Sequence, residues 1–149
     1  MSLIHVECSD VVPASAEEVY AILRDFEVKH PAILPKPYFD KVEILEGGQG
    51  EGTVYLLEMN VFGARTKNRM EVSEPEPGRV LMERDPAAGL TTLMKVEPLN
   101  GGQKSRVTIQ TDFTASPGFR GLMEKLVNPP ITRYIYKKEL QNLADYVQN

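Results

Sequence analysis

The chain has a single cysteine, no tryptophan and two histidines in 149 residues. A lone Cys8 excludes an intrachain disulfide framework and any zinc site built from several thiolates. It also fits a reducing, cytoplasmic setting. Basic charge is short as well: 17 Lys and Arg face 21 Asp and Glu, for a net charge of −4. Nucleic-acid binding needs a clustered basic surface to release counterions, so no nucleic-acid partner is expected. No apolar run approaches the roughly 18 residues of a membrane-spanning helix, which argues against integral membrane association. Met1 to His5 lacks a basic segment followed by an apolar one, so no secretory leader is expected. Glycine and proline number 11 each and follow no period, which removes collagen-like and low-complexity classes.

What is present is 42% hydrophobic and 26% charged residues, the make-up of a folded domain. At this length roughly two thirds of the unfolded surface can be buried, enough for a core without staples. One domain over residues 1–149 is the expectation.

Leu3 to Val12 alternates as a strand, with Ile4, Val6 and Cys8 sharing a face. Pro13 stops it. Ser15-Ala16-Glu17-Glu18 then forms a capping box in which Ser15 accepts from the Glu18 amide. Val19, Ile22, Leu23 and Phe26 follow at helical spacing, predicting a short amphipathic helix over 16–26. His30-Pro31 and Leu34-Pro35-Lys36-Pro37 confine the next stretch to a helical turn or loop.

Strand patterning takes over from Tyr38, where Val42 and Ile44 alternate with Lys41 and Glu43 up to the glycines between Gly47 and Gly52. Thr53 to Val61 and Ala64 to Ser73 read as a hairpin around Phe62-Gly63. Pairing Val61 with Ala64 puts Tyr55, Leu57 and Met59 on one face with Thr66, Asn68, Met70 and Val72. Arg65, Lys67, Arg69 and Glu71 fall on the other, with Glu58 opposite Lys67, as in a sheet with one wet face. Further strands are expected at Arg79 to Arg84, Thr91 to Glu97 and Ser105 to Phe113, the last two joined by Asn100-Gly101-Gly102. Their alternation predicts Val80 and Met82, then Thr92, Met94 and Val96, then Val107, Ile109, Thr111 and Phe113 as inward. The C-terminal part is helical, with one stripe at Phe119, Leu122, Met123, Leu126 and Val127 and another at Tyr136, Leu140, Leu143 and Val147. Asn128-Pro129-Pro130 kinks or breaks it between the two.

Val12-Pro13-Ala14-Ser15-Ala16-Glu17-Glu18-Val19-Tyr20-Ala21-Ile22-Leu23 is similar to the opening of the START-like superfamily, also called SRPBCC or helix-grip proteins, in its polyketide cyclase/dehydrase-like branch. Val42 to Thr53 resembles the glycine-rich loop of the birch pollen allergen family, and Leu140 to Val147 suits the final helix of that group. The resemblance implies an α+β helix-grip fold: a seven-stranded curved antiparallel sheet wrapped around a long C-terminal helix, with two short helices after the first strand and a ligand cavity inside. Fold alone does not assign function, since the superfamily includes lipid carriers, receptors and cyclases.

The glycine-rich loop ends in Thr53 and enters a strand, so it reads as a tight connection and not as a phosphate cradle at a helix N-terminus. Met59, Met70, Met82 and Met94 on the inner sheet face, and Met123 on the helix stripe, are either core filler or a malleable pocket wall. The cavity implied by the resemblance favours the wall. Leu57 and Ile109 would add to it, and Tyr55, Thr66, Asn68, Thr92, Thr111 and Tyr134 would supply a few orienting polar groups. Asn68 is the sharpest of these, with a bond to a neighbouring side chain as its plain alternative.

A catalytic constellation is not evident. His5 alternates outward, and His30 is either a plain loop residue or one at a cavity mouth. No inward Asp or Glu is expected, Asp112 lying one position off the inner face. Glu139 reads as part of a solvated face with Arg133, Lys137 and Lys138. No nucleophile elbow, zinc motif or dinucleotide fingerprint is present, so no cofactor or metal is implied.

These readings converge on a container for a small hydrophobic ligand: lipid, isoprenoid or polyketide-like. A cyclase/dehydratase-type enzyme using the same cavity is the alternative. A third reading is a quinone carrier or chaperone, because His30-Pro31-Ala32-Ile33-Leu34-Pro35 resembles the entrance segment of coenzyme-Q-binding START-like proteins.

Overall fold

A computed structural model of the chain describes residues 3–114 and 129–149. In chain order the elements are β1 (Leu3–Val12), α1 (Ala16–Leu23), α2 (Lys29–Ile33), β2 (Phe39–Glu46), β3 (Val54–Val61), β4 (Ala64–Glu76), β5 (Val80–Asp85), β6 (Leu90–Leu99), β7 (Lys104–Thr114) and α3 (Pro129–Gln148). The strands form one seven-stranded antiparallel sheet in the order β1-β7-β6-β5-β4-β3-β2. β2 to β7 is a meander of neighbours, and β1 closes onto β7 at the far edge. The chain therefore has to cross from one edge to the other between β1 and β2, and α1 and α2 fill that crossing. This is the α+β helix-grip arrangement. Among the described residues no helix is long and apolar enough to cross a membrane.

Local chemistry explains where elements stop. Ser15 Oγ accepts from the Glu18 amide at 3.2 Å and caps α1. The helix ends at Leu23, short of Phe26, because the backbone beyond it turns to other partners. Phe26 N donates to Gly48 O at 2.9 Å, and Gly50 N donates to Arg24 O at 2.8 Å. Asp25 Oδ1 meanwhile accepts from the Glu27 and Val28 amides, each at 3.2 Å, so side-chain bonds replace another helical turn. The glycine-rich loop is thus a structural brace against the end of α1.

The β3–β4 hairpin has the expected register, with Val61 paired to Ala64 and Glu58 to Lys67. Its turn needs left-handed backbone at both central residues, and Phe62 (φ 50°) and Gly63 (φ 88°) supply it. β5 departs from expectation. Leu81, Glu83 and Asp85 are buried, whereas Met82 is half-buried on the opposite face beside Ser73 and Leu93. The inversion follows from a register shift between Ser73 and Glu76, which sets Glu83 opposite the inward Val72. With Val80, Leu81 and Met82 all apolar, alternation had no contrast with which to choose the face.

On α3 the buried residues are Thr132, Ile135, Glu139, Leu140 and Leu143, and the helix packs against β1 and α2. The stripe from Phe119 to Val127, Met123 included, lies outside the described residues.

Candidate ligand cavity

A cavity lies between the inner sheet face, α2 and α3. Its volume is about 90 Å³, several times what a single buried water needs. β3 contributes Tyr55, Leu57 and Met59, and β4 contributes Thr66, Asn68 and Met70. β6 adds Thr92 and Met94, β7 adds Ile109 and Thr111, and α3 adds Thr132, Ile135, Tyr136 and Glu139. Period-two alternation delivers the strand residues to a common wall, which is why ten of the expected lining positions share one space.

Two expected positions fall elsewhere. Met82 faces away for the register reason above. Tyr134 is half exposed on the outside of α3, where it meets Tyr38 edge-on at 6.5 Å and carries Lys138 over its ring. Tyr136, two positions on, is the tyrosine that reaches the cavity.

The wall also holds ionisable groups that alternation did not anticipate. Tyr55 donates its hydroxyl to Glu83. Asn68 Nδ2 donates to Asp85 Oδ2 at 2.9 Å, so the buried amide has a side-chain partner. Thr92 and Thr111 share a hydroxyl bond of 2.8 Å, and Thr111 also bonds the Tyr136 hydroxyl. His30 is buried on α2, its ring stacked on Phe26 at 4.7 Å, and Phe26 stacks in turn on Tyr55 at 5.1 Å. Its Nδ1 lies 2.6 Å from the Leu23 carbonyl. A carbonyl only accepts, so Nδ1 carries a proton and Nε2 is left to face Glu139 Oε2, 3.7 Å away.

The electrostatics follow from burial and charge. Burial opposes a charged His30, but the Glu139 carboxylate and the charge of Glu83 outweigh it and raise the imidazole above its ordinary value. Burial raises Glu83, against the pull of His30 and the Tyr55 hydroxyl. Burial, then the charge of Glu83, pushes the Tyr55 phenol well up, so it stays a donor at physiological pH. One wall thus presents a phenol that donates, a carboxyl raised by burial and a carboxylate–imidazole pair.

His30, Glu83, Asp85 and Glu139 are where sequence reasoning expected no inward acid and a surface or loop histidine. The signal for Glu139 was its spacing: with Ile135 and Leu143 it continues one helical stripe. The signal for Glu83 and Asp85 was absent, since it depended on a bulge. His5, as expected, is exposed, its Nδ1 2.6 Å from Asp112 Oδ1 on the outer face.

A seven-stranded antiparallel sheet laid against a long C-terminal helix, with a mostly apolar cavity between them, defines a helix-grip protein. The chain belongs to the family described as polyketide cyclase/dehydrase and lipid transport, which matches residues 4–148. Among solved structures it is similar to the KanY protein, at 26% identity and a TM-score of 0.84, with 100% of each chain covered. It is also similar to the Zhui aromatase/cyclase from Streptomyces, at 21% identity and a TM-score of 0.74, covering 99% of this chain and 94% of that one. Norcoclaurine synthase from Thalictrum flavum shares the fold at 16% identity and a TM-score of 0.72, with 99% and 95% covered. No curated protein matches the sequence.

Proposed function

We propose that the protein holds a small apolar or aromatic molecule, a lipid, isoprenoid or polyketide-like compound, in the cavity between sheet and α3. The observation that carries this reading is the interior space itself, walled by Leu57, Met59, Met70, Met94 and Ile109. Protein interiors are normally packed without room for more than a water, so a hollow of this size argues for an occupant. Burial of the ligand's apolar surface supplies the affinity, at about 25 cal/mol per Å² before the costs of association. The thioethers of Met59, Met70 and Met94 let the wall adapt to shape. Tyr55, Thr66, Asn68 and Thr111 orient the guest.

Native mass spectrometry of protein purified from its own host tests this. A retained small molecule is expected. Its absence, together with no shift in melting temperature across a panel of lipids, aromatic polyketides and quinones, overturns the reading.

A second reading, a cyclase/dehydratase acting in the same cavity, is favoured by one observation: His30, Glu83 and Glu139 share the wall. Removing a proton beside a carbonyl and supporting the enolate requires a base and a positioned acid, and these residue types offer both. Turnover of a β-hydroxy ketone by the protein, lost in His30→Gln, is the test. The quinone carrier draws on the segment from His30 to Pro35, of which His30, Pro31 and Leu34 line the cavity, and is tested by the quinone arm of the same panel.

A further inference from the structure

Of the buried side-chain oxygens and nitrogens among the described residues, Glu139 Oε2 stands without a hydrogen-bond partner. The other inward carboxyls are engaged: Glu83 receives Tyr55, and Asp85 receives Asn68 and the Ala88 amide. Glu139 sits at 2% exposure in the middle of the α3 stripe and faces the cavity, with His30 Nε2 3.7 Å from its Oε2. Buried polar groups are satisfied in the great majority of cases, and an unsatisfied one calls for an explanation.

We propose that Glu139 Oε2 and His30 Nε2 form a hydroxyl-binding subsite, which receives a phenolic or enolic O–H carried by an otherwise apolar ligand. This deepens the container reading and rests on it. A hydroxyl oxygen placed about 2.8 Å from each atom donates to the carboxylate and accepts from the imidazolium. A ligand ammonium satisfies only the first, and it meets an imidazole that Glu139 and Glu83 bias toward its own positive charge. Tyr55 and Tyr136 also face this cavity; Tyr55 donates to Glu83 and Tyr136 bonds Thr111, and the Glu139 oxygen is left without a hydrogen-bond partner. The hydrocarbon wall then packs the rest of the guest, and the subsite decides which end goes in.

The test compares naphthol with its methyl ether, which present the same rings and differ in the donor. The wild-type protein binds naphthol about tenfold or more tighter, the margin of one hydrogen bond to a charged group. Glu139→Leu removes the acceptor at similar volume: the preference collapses to within about twofold, the melting temperature falls because the buried His30 loses its partner, and retained affinity for the ether shows that the variant still folds. In the wild type, the side-chain carboxyl NMR resonance of Glu139 shifts with naphthol and not with the ether, a readout that needs no variant. Equal wild-type affinity for the two probes, a preference that survives Glu139→Leu, or a silent Glu139 resonance overturns the subsite and leaves the container standing. If neither probe binds, the subsite fails, and the container is decided separately by the panel of lipids, aromatic polyketides and quinones.

Discussion

Tyr55 on β3 donates its phenol to Glu83 on β5, reaching across the intervening β4. Both side chains are buried, so the bond replaces water that neither group can reach. Tyr55→Phe is expected to destabilise the fold by about 1–3 kcal/mol, the cost of leaving a buried carboxyl without its donor. Adding Glu83→Leu removes the orphaned group, so the double variant loses less than the sum of the single losses by roughly 1 kcal/mol or more. Urea denaturation of the set checks this; simple additivity contradicts the bond.

The face inversion of β5 makes a sharp contrast between neighbours. Leu81 is fully buried and Met82 is on the opposite face. Leu81→Lys should cost about 3 kcal/mol or more by burying an unpaired charge, and Met82→Lys less than about 1 kcal/mol. Thermal melts of the two variants decide the parity.

Binding offers a parallel contrast on β3 and β4. Leu57→Arg and Met70→Arg put a charge into the cavity and are expected to abolish uptake of an apolar ligand. Lys67→Glu, on the exposed face of the same hairpin, is expected to change affinity by less than about twofold. Equal losses from all three would mean the ligand does not enter this space.

Much of this architecture is legible in the sequence, for a physical reason. Wherever a strand had one wet face, as in Arg65, Lys67 and Arg69 against Thr66, Asn68 and Met70, polarity marked the register and the hairpin followed. Where that contrast failed, the reading failed. Val80-Leu81-Met82 is apolar throughout, and only the bulge between Ser73 and Glu76 turns Glu83 and Asp85 inward. Glu139 misled in the other sense: its charge suggested solvent, while its place between Ile135 and Leu143 put it in the core. The apolar wall was legible because packing is periodic. The buried ionisable groups were not, because their charge points to solvent while the β4 bulge and the α3 stripe carry them inward.

The pH dependence of stability has a defined sign. His30 is raised above its ordinary 6.5 in the fold, where Glu139 and Glu83 outweigh the burial that opposes its charge. Its contribution is complete below that value and is lost as pH rises through the folded pKa. Glu83, raised from 4.5 by burial, acts in the same direction over the range just above that pH, since the folded state holds its proton longer. The melting temperature should therefore fall as pH rises from 6.5, and His30→Gln should flatten that fall. His5 is raised too, but it is exposed and its pair with Asp112 is screened, so His5→Gln should leave the slope nearly intact. An unchanged slope in His30→Gln contradicts the buried pair.

The glycine-rich loop is predicted to be scaffold. A Cβ on Gly50 (φ +59°) would lie 2.3 Å from Glu74 Oε1 and 2.4 Å from Arg24 Nη2, displacing an ion pair, whereas one on Gly52 (φ +92°) meets nothing within 4 Å. Gly52→Ala should cost about 1 kcal/mol of backbone strain and Gly50→Ala measurably more, with ligand affinity unaltered in both. A loss of affinity without a loss of stability would make the loop part of the site.

The most direct test of the container is a methionine-methyl NMR titration with an apolar aromatic ligand such as naphthol. Met59, Met70 and Met94 line the cavity, and Met82 lies on the other face of the same sheet. The account predicts that the first three methyl resonances shift together and saturate while Met82 stays still. Movement of Met82 alone, or of none of the four under saturating ligand, would contradict it.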